Sequence, residues 1–289
     1  PERHRMAYWQ WGDPAAAHVV VCVHGLSRQG RDFDVLAQAL LTRAGRPCRV
    51  VCPDVVGRGQ SDWLKDPSGY QIPNYAGDMV ALLGQMHGQA PITTLDWVGT
   101  SMGGLIGIAV AGTPQLPLPA PVRHLVLNDV GPAVEWSALQ RIGMYLGKTG
   151  HFASVQEAAD AMLAISASFG PHTPAQWLAL SRAMVKPSPQ GGFELHYDPA
   201  IAEPFRQLTE QDAQQGEAAL WHLYDGLTAR VLVLRGADSD LLSTATAQAM
   251  LTRGPKASCV EFAGVGHAPT LIAEDQVNTV ASFLLATES

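Results

Sequence analysis

Six short stretches of the chain, at residues 18–23, 49–52, 94–98, 124–127, 230–234 and 258–262, are apolar with little alternation. Unbroken apolarity over so few residues is the mark of a strand buried on both faces, as in a parallel sheet covered by helices on either side. Between these stretches the apolar residues fall at helical spacing instead. Residues 32–43 carry Phe33, Leu36, Ala37, Leu40 and Leu41, and 74–86 and 244–251 follow the same rule. Strand, helix, strand, repeated, predicts an α/β fold with a mostly parallel, doubly wound sheet. Ahead of the first run, residues 6–11 predict a hairpin strand, with Gly12-Asp13-Pro14 as its turn.

The alternation breaks between residues 134 and 225, where no strand-like run occurs. Helices are expected at 136–146, 155–166, 174–184 and 201–208, interrupted by Pro187, Pro189, Gly191 and Gly192. A crossover between parallel strands needs only about a dozen residues. The division expected is therefore a doubly wound core of 1–132 and 226–289 with a helical cap, or lid, inserted at 133–225. Trp136, Leu139, Ile142, Met144, Tyr145, Phe152, Met162 and Trp177 offer an apolar roof, although most of them are expected to hold the cap helices together.

Composition removes several classes of function. With 47% hydrophobic and 16% charged residues the 289-residue chain has the makings of a large core, not of a disordered segment. Its net charge of -7, without a basic stripe, argues against a nucleic-acid partner. The longest apolar run, 105–111, is far short of a membrane span, so no membrane partner is expected. Four scattered cysteines (Cys22, Cys48, Cys52, Cys259) lie in or beside the apolar runs and make no disulfide or CxxC framework. The basic residues at 3–5 are followed by no apolar h-region, so no signal peptide is visible and a cytoplasmic location is expected. The histidines form no ligand spacing, so neither metal nor cofactor is expected.

The strongest local signal is Gly99-Thr100-Ser101-Met102-Gly103-Gly104, where a strand turns directly into the helical run 105–111. A sharp strand-to-helix turn needs small neighbours and leaves Ser101 at the amino end of a helix, where negative charge is favoured. A serine nucleophile needs a base, and the base needs an orienting group. His267 lies in the glycine-flanked loop Gly264-Val265-Gly266-His267, just past a strand. Past the preceding strand, Ala237-Asp238-Ser239-Asp240 offers the acid: Asp240 by its loop length, with Asp238 as the alternative. An oxyanion hole needs two backbone donors. The N–H of Met102 is one, and the N–H of Leu26, in the loop His24-Gly25-Leu26-Ser27, is the other. His24 is expected to brace that loop structurally. Arg28, two residues further on, is either a contact for a substrate carboxylate or the partner of Asp32.

Together with Pro53-Asp54-Val55-Val56-Gly57-Arg58-Gly59-Gln60-Ser61-Asp62, these residues resemble the α/β-hydrolase superfamily over most of the chain outside the cap. The last segment is similar to that family's D-x-x-G-x-G-x-S turn, with Arg58 where a histidine is common. The resemblance implies the order nucleophile, acid, base, here Ser101, Asp240 and His267. It further implies a serine esterase acting on a small-molecule acyl substrate, a carboxylic ester, thioester or lactone. Carbon–carbon bond hydrolases of the meta-cleavage type, cofactor-free perhydrolases and acyltransferases share the pattern. Ala268 after His267 and Leu26-Ser27-Arg28 after Gly25 depart from the meta-cleavage pattern. Outside enzymes, ligand-binding proteins that retain the triad remain the other reading.

Overall fold

The computed structural model describes residues 3–286. The chain opens with β1 (Tyr8–Gly12), β2 (His18–Val23), α1 (Asp34–Arg43), β3 (Arg49–Pro53), α2 (Ile72–Gln89), β4 (Thr94–Thr100), α3 (Met102–Ala111) and β5 (Val122–Asn128). A long excursion follows: α4 (Trp136–Tyr145), β6 (His151–Phe152), α5 (Val155–Ile165), α6 (Pro174–Arg182), β7 (Val185–Pro187), β8 (Phe193–Leu195), α7 (Ala202–Gln207) and α8 (Glu210–Asp225). The chain closes with β9 (Arg230–Gly236), α9 (Thr244–Thr252), β10 (Ser258–Phe262) and α10 (Glu274–Leu285).

Seven strands form one sheet in the order β1-β3-β2-β4-β5-β9-β10, parallel except for β1. This is the α/β hydrolase fold. Alternate residues of β2 feed the two faces: Val19, Val21 and Val23 join the core beneath α2 and α3, while Val20 and Cys22 join the core beneath α1 and α10. Every residue of β2 is buried. Burial on both faces is why its sequence shows no alternation.

Three features differ from the sequence reading. β1 pairs antiparallel with β3, not with β2, which lies between β3 and β4. The turn at Asp13 exists, closed by Ala16 N–H to its carbonyl at 3.0 Å, but it delivers β2 into the sheet interior. Secondly, the stretch expected to be strand-free holds a small antiparallel sheet, β6-β8-β7. Gly191 and Gly192, at φ 87° and 67°, turn the β7–β8 hairpin, and each strand is too short to leave a periodic trace. Thirdly, α8 packs Leu220, Trp221, Leu223 and Tyr224 onto the sheet core, and the Tyr224 hydroxyl donates to the Met250 carbonyl at 2.9 Å. It is the crossover helix that leads into β9, so the excursion returns to the core before residue 225. α5 and α6 enclose an apolar cluster of their own, built on Ala158, Ala159, Met162, Trp177 and Leu180.

Candidate active site

β4 ends at Thr100 and α3 begins at Met102, leaving Ser101 alone to make the turn. It does so at φ 52° and ψ -118°, a region that side chains rarely enter and that costs about 1–3 kcal/mol. The turn is tight enough that a Cβ on Gly103 would sit 2.0 Å from the Val23 carbonyl oxygen, so any larger residue there would drive α3 away from β2. The Ser101 N–H donates to the Asn128 carbonyl at 3.0 Å, which fastens the turn to the end of β5. Asn128 in turn donates its side-chain amide to Thr100 Oγ1 at 2.9 Å and to the Pro269 carbonyl at 2.8 Å, bracing the chain on both sides of the pocket floor.

Ser101 Oγ lies 3.0 Å from His267 Nε2. The other ring nitrogen, Nδ1, faces neither Asp240 nor Asp238. It lies 2.7 Å from Oδ2 of Asp129, the residue immediately after β5. Asp129 is fully buried and saturated with donors. Gly236 N–H reaches its Oδ1 at 2.8 Å, and the Ser239 hydroxyl reaches Oδ2 at 2.6 Å. With Nδ1 donating to a carboxylate, Nε2 is left to accept from Ser101.

The acids expected from the sequence serve elsewhere. Asp240 forms a two-point ion pair with Arg141 of α4, at 2.6 and 3.0 Å, and about half its side chain is open to solvent. Asp238 is exposed. The reason is topological: β5 and β9 are neighbours in the sheet, so acids at the tips of both stand near the loop that carries His267. Asp129 also lies between Ser101 and His267 in the chain, so order alone never distinguished it. The signal available was Asn128-Asp129 closing an apolar run, the same placement that nominated Asp238 and Asp240.

The loop after β2 approaches Ser101 closely: a Cβ on Gly25 would lie 3.7 Å from Ser101 Cβ. Leu26 follows directly, and Leu26 and Ser101 both line the same cavity. His24 is fully buried and braces this loop. Its Nδ1 donates to the Gly25 carbonyl at 2.7 Å and its Nε2 accepts from Val55 N–H at 2.9 Å, which fixes the tautomer. Burial pushes its pKa down to about 3, the charges of Arg58 and Arg28 act in the same direction, and the bond to Gly25 opposes them. Arg28 is engaged at two points by Asp32, both at 2.7 Å, and also lines the cavity.

That cavity measures about 450 Å³ and reaches from Ser101 and His267 to the excursion between β5 and β9. Of the expected roof, Ile142, Tyr145, Phe152 and Met162 line it, whereas Trp136, Leu139, Met144 and Trp177 do not. Trp177 is buried among α5 and α6 with its indole N–H on the Ala159 carbonyl at 2.7 Å, and Met144 is 66% exposed. Among the described residues no group of three or more His, Cys, Asp or Glu side chains could hold a metal ion. No described helix is long and apolar enough to cross a membrane.

The sequence pattern of the alpha/beta hydrolase family matches residues 20–281. A 3-hydroxybutyrate-oligomer hydrolase from Cupriavidus necator is 50% identical over 284 residues, which are 97% of this chain and 92% of that protein. An alpha/beta hydrolase structure from Novosphingobium aromaticivorans is 33% identical with a TM-score of 0.80, covering 97% of this chain and 98% of that one. The structure of a Rickettsia typhi protein, 28% identical, superposes with a TM-score of 0.85 over 99% of this chain and 92% of its own. With the family pattern running through nearly all of the sheet that carries Ser101 and His267, the chain belongs to the alpha/beta hydrolase family and is a hydrolase.

Proposed function

We propose that the protein hydrolyses short oligomeric esters of 3-hydroxybutyrate through an acyl-enzyme on Ser101. One observation carries the reading. The Ser101–His267–Asp129 relay opens into a cavity whose lining includes Arg28, Arg141 and Lys148 but no aspartate or glutamate, in a chain of net charge -7. A hydroxyacid oligomer presents ester carbonyls to the relay and one terminal carboxylate to such a lining. The volume of about 450 Å³ falls within the range of small-molecule sites. The 50% identity to the Cupriavidus necator hydrolase supports the same substrate class.

In this mechanism Ser101 Oγ attacks the ester carbonyl as its proton passes to His267 Nε2. Asp129 holds the Nδ1 proton and stabilises the imidazolium that forms. The N–H groups of Leu26 and Met102 receive the oxyanion, and one such donor contributes about 3–4 kcal/mol in comparable sites. His267 then returns the proton to the departing hydroxyl of the next monomer unit. Water, activated by the same imidazole, releases the acyl group from Ser101. The excursion between β5 and β9 acts as the cap that selects the acyl chain, and Lys148, for which no ion pair is found among the described residues, is the cation best placed to meet the carboxylate.

The test is hydrolysis of the 3-hydroxybutyrate dimer and trimer by the wild type and Ser101→Ala, read as release of monomer, with 4-nitrophenyl acetate alongside. Turnover of the oligomers, lost in the variant, is the expected result. Turnover of the acetate without any action on the oligomers would leave the acyl-enzyme standing and overturn the substrate.

A further inference from the structure

Arg58 sits in the turn of residues 53–62 that the family resemblance marks as structural, yet its side chain leaves the turn. The guanidinium is completely buried. Its Nε donates to the Leu26 carbonyl at 2.8 Å, Nη1 to the Val56 carbonyl at 2.7 Å and to the Tyr75 hydroxyl at 3.0 Å, and Nη2 lies 3.4 Å from Met102 Sδ. Two of these four contacts are to Leu26 and Met102, the residues whose N–H groups form the oxyanion hole in the mechanism above. None of the four is a carboxylate, and no ion pair of Arg58 is found among the described residues.

A buried cation with only neutral partners is costly, because several kcal/mol of hydration are lost without a counter-charge. The surroundings are arranged to keep it there. Its charge lies 5.0 Å from the ring centre of Tyr75 and 5.8 Å from that of Tyr70. The turn that carries it is pinned by Asp54, which accepts from Gly30 N–H at 2.8 Å and Gln60 N–H at 2.9 Å. Gly59 follows at φ 53°, and a Cβ there would lie 2.3 Å from Asp54 Oδ2, so only glycine fits. A leucine or methionine would fill the same space without the desolvation cost. What they would not provide is a fork that holds the Leu26 carbonyl and the Met102 thioether at once, or a positive charge on the side of the nucleophile where negative charge develops.

We infer that Arg58 is a positioning residue for the oxyanion hole. It fixes the two residues that donate to the oxyanion and stands behind them as a buried cation with no carboxylate among its hydrogen-bond partners. Such an arrangement favours the transition state over the ground state, because the substrate carbonyl is neutral. The inference rests on the Ser101 acyl-enzyme reading.

The experiment compares wild type, Arg58→Lys and Arg58→Met on 4-nitrophenyl acetate, and measures inhibition by a methyl trifluoromethyl ketone, which becomes a tetrahedral oxyanion on the serine. In Arg58→Met, kcat is expected to fall about 100-fold with KM within about 3-fold, and affinity for the ketone to fall by a similar factor. Arg58→Lys keeps the charge and loses the fork, so it should recover part of that loss. A wild-type kcat in a folded Arg58→Met, or a loss confined to KM, would overturn the inference. Should Arg58→Met fail the circular-dichroism check for folding, Arg58→Lys decides: kcat at least about 10-fold down supports positioning, and an unchanged kcat overturns it. Fluorophosphonate labelling of the wild type tests Ser101 separately; an unlabelled Ser101 would remove the acyl-enzyme reading, and this inference with it.

Discussion

Ser239 donates its hydroxyl to Oδ2 of Asp129 at 2.6 Å, the same oxygen that faces His267 Nδ1. The loop after β9 thus reaches the carboxylate that faces His267 without supplying it. Ser239 Oγ also accepts from Leu241 and Leu242 N–H groups, at 3.3 and 3.1 Å, so the hydroxyl proton is directed at the carboxylate. Ser239→Ala should lower kcat about 10–100-fold, the scale of one hydrogen bond to a charged group lost, and leave KM unchanged. Steady-state kinetics on 4-nitrophenyl acetate would show it.

The identity of the acid separates the variants sharply. Asp129→Asn leaves the side chain's shape but presents the wrong partner to Nδ1, and kcat should fall by about 10⁴-fold. Asp240→Asn and Asp238→Asn should stay within about 10-fold of wild type, because neither side chain touches His267. Equal losses in Asp129→Asn and Asp240→Asn would refute the assignment.

Asp240 should instead affect substrate binding. Its ion pair joins the core to α4, whose Arg141 lines the cavity. The pair is partly exposed, so it contributes at most about 1 kcal/mol to stability and is weakened by salt. Asp240→Asn should raise KM for the 3-hydroxybutyrate dimer a few-fold with little change in melting temperature. If the melting temperature moved and KM did not, the pair would be a scaffold contact only.

Lys148→Met bears on the carboxylate. The variant should lose about 2–5-fold in kcat/KM on the free-acid dimer, the worth of one partly screened ion pair, and almost nothing on its methyl ester. Equal effects on both substrates would place the carboxylate elsewhere.

Ser101, His267 and the approach of the Leu26 loop were legible in the sequence because each belongs to a run of neighbouring residues whose glycines and strand ends report local geometry. Asp129 was not, although it follows its strand end directly and Asp240 stands four residues past its own. Its role depends on β5 lying beside β9, and on the His267 loop bending over both, which no linear spacing records. The pairing of β1 with β3 escaped for the same reason. α8 fell inside the expected cap span of 133–225 without being read as a helix, because its large apolar residues cluster at its carboxyl end.

His24 gives the protein a defined acid weakness. Its pKa is about 3 in the folded state against 6.5 ordinarily, so between those values the unfolded chain binds a proton that the folded chain refuses. Stability therefore falls as pH drops below about 6.5, by about 3 kcal/mol from this group alone at pH 4.5, and the loss is complete below pH 3. Urea denaturation of the wild type and His24→Gln at pH 7 and pH 4.5 would measure it. The advantage of the wild type should shrink by about that amount on acidification; parallel curves would contradict the burial of a neutral imidazole.

Asp129 comes before the excursion that roofs the cavity, whereas an acid at position 240 would have come after it. Ser101 and Asp129 therefore lie on one side of the excursion in the chain and His267 on the other, yet all three stand at the rim of a single sheet. A change in the residues between β5 and β9 would reshape the cavity roof without displacing the strand ends beside Ser101, Asp129 and His267.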